Sequence, residues 1–182
     1  SVRDVVDEMI VVDTGSTDRS KDIATVFGAK VLDFPWTGDF SVARNHSLAQ
    51  ATGDWILVLD ADEVISHLDH TRLLKTINRG KQRPVAFDIV TRNYLGKSGA
   101  AGWTENDGTY QQEEQGIGWT ASNKVRLFRK NSLVRFENPV HELLEASLHK
   151  AGIPIEKCTI PIHHYGRLDH DKLMAKGRDY FL

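Results

Sequence analysis

Trp55-Ile56-Leu57-Val58-Leu59-Asp60-Ala61-Asp62-Glu63 is the stretch that decides how the rest of the chain is read. A continuous apolar run, unlike an alternating one, is the pattern of a strand buried on both faces. This one stops at a cluster of carboxylates, and a second run of the same kind, Met9-Ile10-Val11-Val12, stops at Asp13. In a parallel sheet, ligands bind beyond the carboxyl ends of the strands, so Asp13 and Asp60 are expected at one rim. Asp60 and Asp62, separated by Ala61 in an extended or turning segment, can both reach one hard cation. Mg²⁺ and Mn²⁺ take oxygen ligands and are commonly held by one or two carboxylates with substrate phosphates completing the shell. Strand-to-turn junctions also favour Asp for turn geometry alone. The second acidic strand end upstream is what gives the pattern weight.

Working outward, Thr14-Gly15-Ser16-Thr17 is a turn, with Ser16 or Thr17 as helix N-cap and a helix running to about Phe27 before Gly28. Lys30 to Phe34 is a strand broken by Pro35, Phe40 to Ala51 a helix ended by Gly53, and Leu68 to Ile77 another helix. This alternation predicts an α/β fold whose sheet is mostly parallel and Rossmann-like, with helices on both faces. Val85 to Arg92, Lys124 to Arg129 and Ile160 to Ile162 are expected strands, and Asp169 to Leu182 a final helix. Gly96 to Gly118 has no periodicity, and a segment that long is usually a functional loop.

The 182 residues suit one domain, and 40% hydrophobic content is too high for a disordered chain. A net charge of −2 provides no global basic field, which argues against nucleic acid as a primary partner. The single cysteine, Cys158, excludes an internal disulfide framework and suits a small buried apolar position. No apolar run reaches the ~18 residues of a membrane span and no signal peptide opens the chain. The expectation is a soluble, cytoplasmic protein with at most peripheral membrane contact.

Val11-Val12-Asp13-Thr14-Gly15-Ser16-Thr17-Asp18 resembles the nucleotide-binding signature of family 2 glycosyltransferases of the GT-A fold. Phe40, Ala43-Arg44-Asn45 and Ala51 through Glu63 resemble the second block of that family, and order and spacing match over about a third of the chain. The resemblance implies that Asp13, with Gly15 and Ser16, contacts the nucleoside. It implies that Asp60 and Asp62 form the metal-binding motif, Asp60 also touching ribose, and that Arg44 lies near the diphosphate, where a guanidinium suits phosphate geometry. The cofactor would be Mn²⁺ or Mg²⁺ and the donor a UDP-sugar. Residues 1–65 would form the nucleotide-sugar and metal half, 84–168 the acceptor half, and 169–182 the terminal helix. Thr14 stands where many members carry a second acid. Members also open with a further strand carrying a Val-x-Asn-Glu-like pattern, so the chain is expected to be a fragment lacking that strand.

Val125-Arg126-Leu127-Phe128-Arg129, Pro139-Val140-His141-Glu142 and Ile162-His163-His164-Tyr165-Gly166 resemble the bacterial branch that includes lipopolysaccharide-core glucosyltransferases, some of which continue into helical repeats. That implies a glycan or lipid-linked acceptor in cell-surface glycan synthesis. GT-A enzymes often supply a His late in the chain as a third metal ligand; His164 is preferred here over His163. An inverting transferase needs a base for the acceptor hydroxyl, for which Glu142 is the first candidate and Asp107 the second. Trp103, Tyr110 and Trp119 could stack on sugar rings, and the long loop could be an acceptor lid. Two rival readings are a nucleotidyltransferase, which should carry a basic Gly-rich loop absent from Thr14-Gly15-Ser16-Thr17, and a non-catalytic nucleotide-sugar or glycan binder.

Overall fold

The computed structural model describes residues 1–80 and 83–168; the expected helix over 169–182 lies outside them. The chain runs β1 (Ile10–Asp13), α1 (Ser20–Val26), β2 (Lys30–Asp33), α2 (Phe40–Gln50), β3 (Trp55–Leu57), β4 (Glu63–Val64), α3 (His70–Arg79), β5 (Ala86–Leu95), β6 (Trp103–Glu105), β7 (Gly118–Arg129), α4 (Glu145–Lys150) and β8 (Ile155–His164). Helix α1 starts later than Ser16 or Thr17, because Asp18 takes the Ser20 amide instead. It ends at Gly28, whose φ of 85° is the left-handed turn a glycine accepts without strain. Helix α2 is capped by Asp39, which accepts from the Ser41 and Val42 amides.

The α/β class holds, but the sheet is mixed rather than mostly parallel. Strands β1 and β2 pair in parallel as a two-stranded sheet. The larger sheet has the order β3-β7-β5-β8-β4 with β6 beside β7, and within it β5–β8 is parallel while β3–β7, β5–β7, β4–β8 and β6–β7 are antiparallel. The physical reason is that β5 and β7 are joined through the segment expected to be a loop. That segment folds back, places β6 on β7, and needs no helical crossover.

Helices do cover both faces. Ile56, Phe128, Ala86 and Ile155 stand in one row across four strands and meet Leu48 and Ala51 of the α2 end with Leu144 and Leu148 of the α4 region. The next row, Leu57, Leu127 and Phe87, turns the other way and packs with Leu73 and Ile77 of α3. Cys158 is buried in this second cluster, as expected. Truncating Leu148 or Leu73, each at most 1% exposed, removes a core side chain of a kind that costs about 2–5 kcal/mol.

Two irregularities aim side chains. In β7 the register passes from Leu127, opposite Phe87, to Val125, opposite Asp88, so Arg126 is an extra residue. In β8 the register passes from Cys158, opposite Ile89, to Ile162, opposite Thr91, accommodating Pro161 where no N–H is available. That second shift, of two residues, keeps the alternation of β8 and places His163 opposite Arg92 and His164 opposite Asn93.

Candidate active site

At the end of β1, Asp13 is 7% exposed and its Oδ2 accepts from the Gly15 amide at 3.1 Å and the Ser16 amide at 3.0 Å. Hydrogen bonding from Ser16 outweighs burial and holds the Asp13 carboxyl below its ordinary value. Gly15 has φ 120°, which a side chain would strain. Between β1 and β3 lies a groove of about 420 Å³ lined by Ile10 to Val12 on one side, Trp55 to Ala61 on the other and residues of α2, with Arg44 and Asp60 among them.

Strand β3 makes its last rung where the Val58 amide meets the Arg126 carbonyl at 2.8 Å. The chain then turns: the Glu63 amide donates to the Asp60 carbonyl at 3.0 Å and the Asp60 amide donates to Glu63 Oε2 at 2.8 Å. Pairing of Glu63 with His164 across β4 and β8, and the Tyr165 amide on the Asp62 carbonyl at 3.1 Å, carry the end of β8 beside this turn. His164 Nε2 thereby lies 3.3 Å from Asp62 Oδ2. Its Nδ1 lies 2.8 Å from Asn93 Oδ1. The Asn93 amide nitrogen already donates to the Thr91 and Thr120 carbonyls, so Oδ1 is the acceptor and the imidazole carries its hydrogen on Nδ1. The Nε2 lone pair then faces a carboxylate oxygen, an arrangement that repels unless a proton or cation lies between them. A Cβ on Gly166 would fall 2.4 Å from Asp62 Oδ2 and 2.7 Å from His164 Nε2, so only glycine leaves this cradle open.

His163 faces the opposite way. It is 0% exposed, 2.8 Å from the Tyr94 hydroxyl through Nδ1, and burial pushes its pKa down to about 4. Of the two histidines, His164 is therefore the one beside the acidic turn. Asp62 and His164 are donors that suit Mn²⁺. Among the described residues no three His, Cys, Asp or Glu side chains group as a metal site.

Arg44, on α2, bridges two carboxylates far apart in sequence: Nη2 donates to Asp60 Oδ1 and Nε to Glu142 Oε1, each at 2.6 Å. Arg126, aimed by the β7 bulge, donates through Nη2 to Glu63 Oε1 at 2.6 Å and to Asp60 Oδ2 at 3.3 Å. Burial opposes ionisation of Asp60, but Arg44 and Arg126 outweigh it and hold its carboxyl at about 2. Burial pushes Glu63 above the ordinary carboxylate range despite Arg126.

Glu142 sits in a closed loop. Glu137 and Leu143 exchange backbone hydrogen bonds at 3.0 and 3.1 Å, and Asn138 and His141 adopt φ of 79° and 57°. Asn45 ties the preceding residue to α2, donating to the Phe136 carbonyl at 2.9 Å and accepting its amide at 2.8 Å. Asn45 thus anchors the loop that presents Glu142 rather than reaching the carboxylates itself.

Residues 1–136, three quarters of the chain, match the family described as Glycosyl transferase family 2. The chain belongs to glycosyl transferase family 2. It is 39% identical over 183 residues to a TPR repeat-containing protein of Synechococcus elongatus, covering 97% of this chain and 40% of that protein. It is 29% identical over 199 residues to an uncharacterized glycosyltransferase of Rickettsia felis, covering 98% of this chain and 65% of that one. The chain therefore spans less than two thirds of the length of either relative. Among solved structures, glucosyl-3-phosphoglycerate synthase from Mycobacterium tuberculosis in complex with phosphoglyceric acid aligns with TM-score 0.54 and 20% identity, over 95% of this chain and 66% of that one. Its likeness shows the fold, GT-A, and the same synthase has been solved with Mn²⁺ and UDP.

Within this family member, Asp107 stands apart from the carboxylate cluster. It lies 4.0 Å from Arg92, and Arg92 and Asn93 point to opposite faces of β5. Tyr110 is 6% exposed, its hydroxyl donating to Asp69 at 2.8 Å, so it plugs the interior, while Arg92 covers the Trp119 ring at 4.7 Å. The expectation that Tyr110 faces sugar is corrected on that ground, while Trp119 stays half-buried beneath Arg92. Sequence reasoning missed Glu63, Arg126 and Asn93. Glu63 was visible beside Asp62, but the bulge that aims Arg126 and the pairing that brings Asn93 to His164 depend on strand register.

Proposed function

We propose that this domain transfers a sugar from a UDP-sugar to an acceptor hydroxyl with inversion, using Mn²⁺ or Mg²⁺. The observation that carries the reading is the convergence of Asp60, Asp62, His164, Arg44 and Glu142 from four separate parts of the chain. Asp62 and His164 would hold the ion, which when bound would neutralise the diphosphate leaving group as a Lewis acid. Asp13, with the Gly15 and Ser16 turn, and Asp60 would orient the nucleoside. Arg44 would turn part of its donor fork to the diphosphate. Glu142, freed from Arg44 to that extent, would take the acceptor hydroxyl proton as the oxygen attacks the anomeric carbon opposite the departing diphosphate. Metal–UDP binding in a solved structure of the same fold supports the donor class. The resemblance of the acceptor half to the lipopolysaccharide-core branch supports a bacterial cell-surface glycan or lipid-linked glycan as acceptor. Among the described residues no helix is long and apolar enough to cross a membrane.

Donor hydrolysis tests the reading. Incubated with UDP-glucose, UDP-galactose or UDP-N-acetylglucosamine and Mn²⁺, the protein should release UDP slowly, and chelation should stop it. Binding without release would favour a non-catalytic binder. Release of pyrophosphate from UTP and a sugar phosphate, with no UDP from any donor, would favour a nucleotidyltransferase.

A further inference from the structure

Arg126 and Glu63 lie under the acidic turn and reach no open surface: their side chains are 5% and 3% exposed. Glu63 uses one carboxylate oxygen to accept the Asp60 amide, and its own amide closes the turn on the Asp60 carbonyl. Its other oxygen takes Arg126 Nη2, and the same nitrogen reaches Asp60 Oδ2. Both ends of the turn are thus fastened to one guanidinium, and Asp62 is the residue left projecting toward His164. Arg126 reaches this place only because β7 carries an extra residue there: the register skips it, and Val125 joins the cluster opposite to that of Leu127 although two places away. A bulge beside a site is a common way to re-aim a side chain. A single buried guanidinium nitrogen donating to two carboxylates holds the two close together as well as offsetting their charge.

We propose that Arg126 and Glu63 are positioning residues: a buried clamp that sets the Asp60–Asp62 turn so that Asp62 meets the ion with His164. The proposal rests on the metal-dependent reading of the site. Partners that orient a metal's ligands, without touching the metal, typically contribute tenfold to a hundredfold to metal affinity.

The test separates positioning from simple stability. Removing Arg126 alone leaves a buried, unpaired carboxylate, whereas removing both partners leaves the smaller loss of the Asp60 amide's acceptor. Three proteins are compared in the presence of UDP: wild type, Arg126→Met, and the double variant Arg126→Met with Glu63→Leu. Free Mn²⁺ is read by electron paramagnetic resonance and Tm by calorimetry. The clamp predicts that Arg126→Met lowers both Tm and Mn²⁺ affinity. The double variant should regain most of the Tm while its Mn²⁺ affinity stays at least about tenfold below wild type. Arg126→Lys, which keeps the charge but sets its nitrogen on a shorter side chain, should bind Mn²⁺ better than Arg126→Met and worse than wild type. Recovery of Mn²⁺ affinity together with Tm in the double variant would overturn the clamp and leave the metal reading standing. A wild type that holds no Mn²⁺ with UDP would overturn both.

Discussion

The turn at Asp60 to Glu63 and the loop at Glu137 to Leu143 each present a carboxylate to Arg44, yet they are built in opposite ways. The turn is the end of a buried strand, held by its own Glu63 and by Arg126 beneath it. The loop is a backbone closure with residues of positive φ inside it, tethered sideways to α2 by Asn45. Positive φ at Asn138 and His141 costs free energy that surrounding contacts must offset. In the proposed reaction they have different duties: the turn would hold a ligand in place, and the loop would present the group that reacts. Breaking the turn should therefore abolish binding, whereas breaking the loop should spare binding and slow transfer.

The largest effect is expected at the turn. Asp62→Ala should abolish metal-dependent UDP binding, with Tm close to wild type because Asp62 is partly exposed; calorimetric titration of UDP with Mn²⁺ checks it, and unchanged affinity would remove Asp62 from the site. Next comes the loop. Glu142→Gln should lower transfer by about 10²-fold or more while UDP affinity is retained, read as kcat against a separate binding titration. Equal losses in binding and transfer would erase the contrast between the two regions.

How much of this was open to sequence reading follows the same division. A strand end announces its carboxylate locally, so Asp13, Asp60 and Asp62 stand out from the apolar runs before them. His164 over His163 was legible only as a choice between alternating residues, and the pairing of β4 with the end of β8 and the Asn93 contact bring His164 to Asp62. The mixed sheet was not legible, because antiparallel return through the 96–118 segment depends on pairing between distant strands. Arg126 stands in the 125–129 run that carries the branch resemblance, but where it points had no local signal, since a bulge is defined by the partner strand it fails to match.

Smaller effects sharpen the contrast. Gly166→Ala should weaken Mn²⁺ by about tenfold in the presence of UDP, because its methyl would enter the space between Asp62 and His164; an unaltered titration would show that the cradle is wider than described. Asn45→Ala should cost about 1–3 kcal/mol by leaving the Phe136 backbone groups unpaired, and should lower kcat more than UDP affinity. Urea unfolding with parallel kinetics measures both. Smallest is a pH effect away from both regions. His163 is neutral in the fold down to about 4, below its ordinary 6.5, so the unfolded chain binds the additional proton between those values. Stability should fall as pH is lowered through that window, by at most about 1.4 kcal/mol per pH unit from this group. His163→Gln should flatten that slope in urea titrations; an unchanged slope would assign it to other groups.

The central claim, that Asp62 and His164 make nucleotide binding depend on a metal, is tested most directly by thermal unfolding with UDP, GDP, CDP and ADP, each with and without Mn²⁺. A nucleotide present at 100 times its Kd adds about 2.7 kcal/mol to the folded state. The account predicts a rise in Tm with UDP and Mn²⁺ together and none with UDP alone. An equal rise with UDP in the absence of metal, or no rise with any pair, would contradict it.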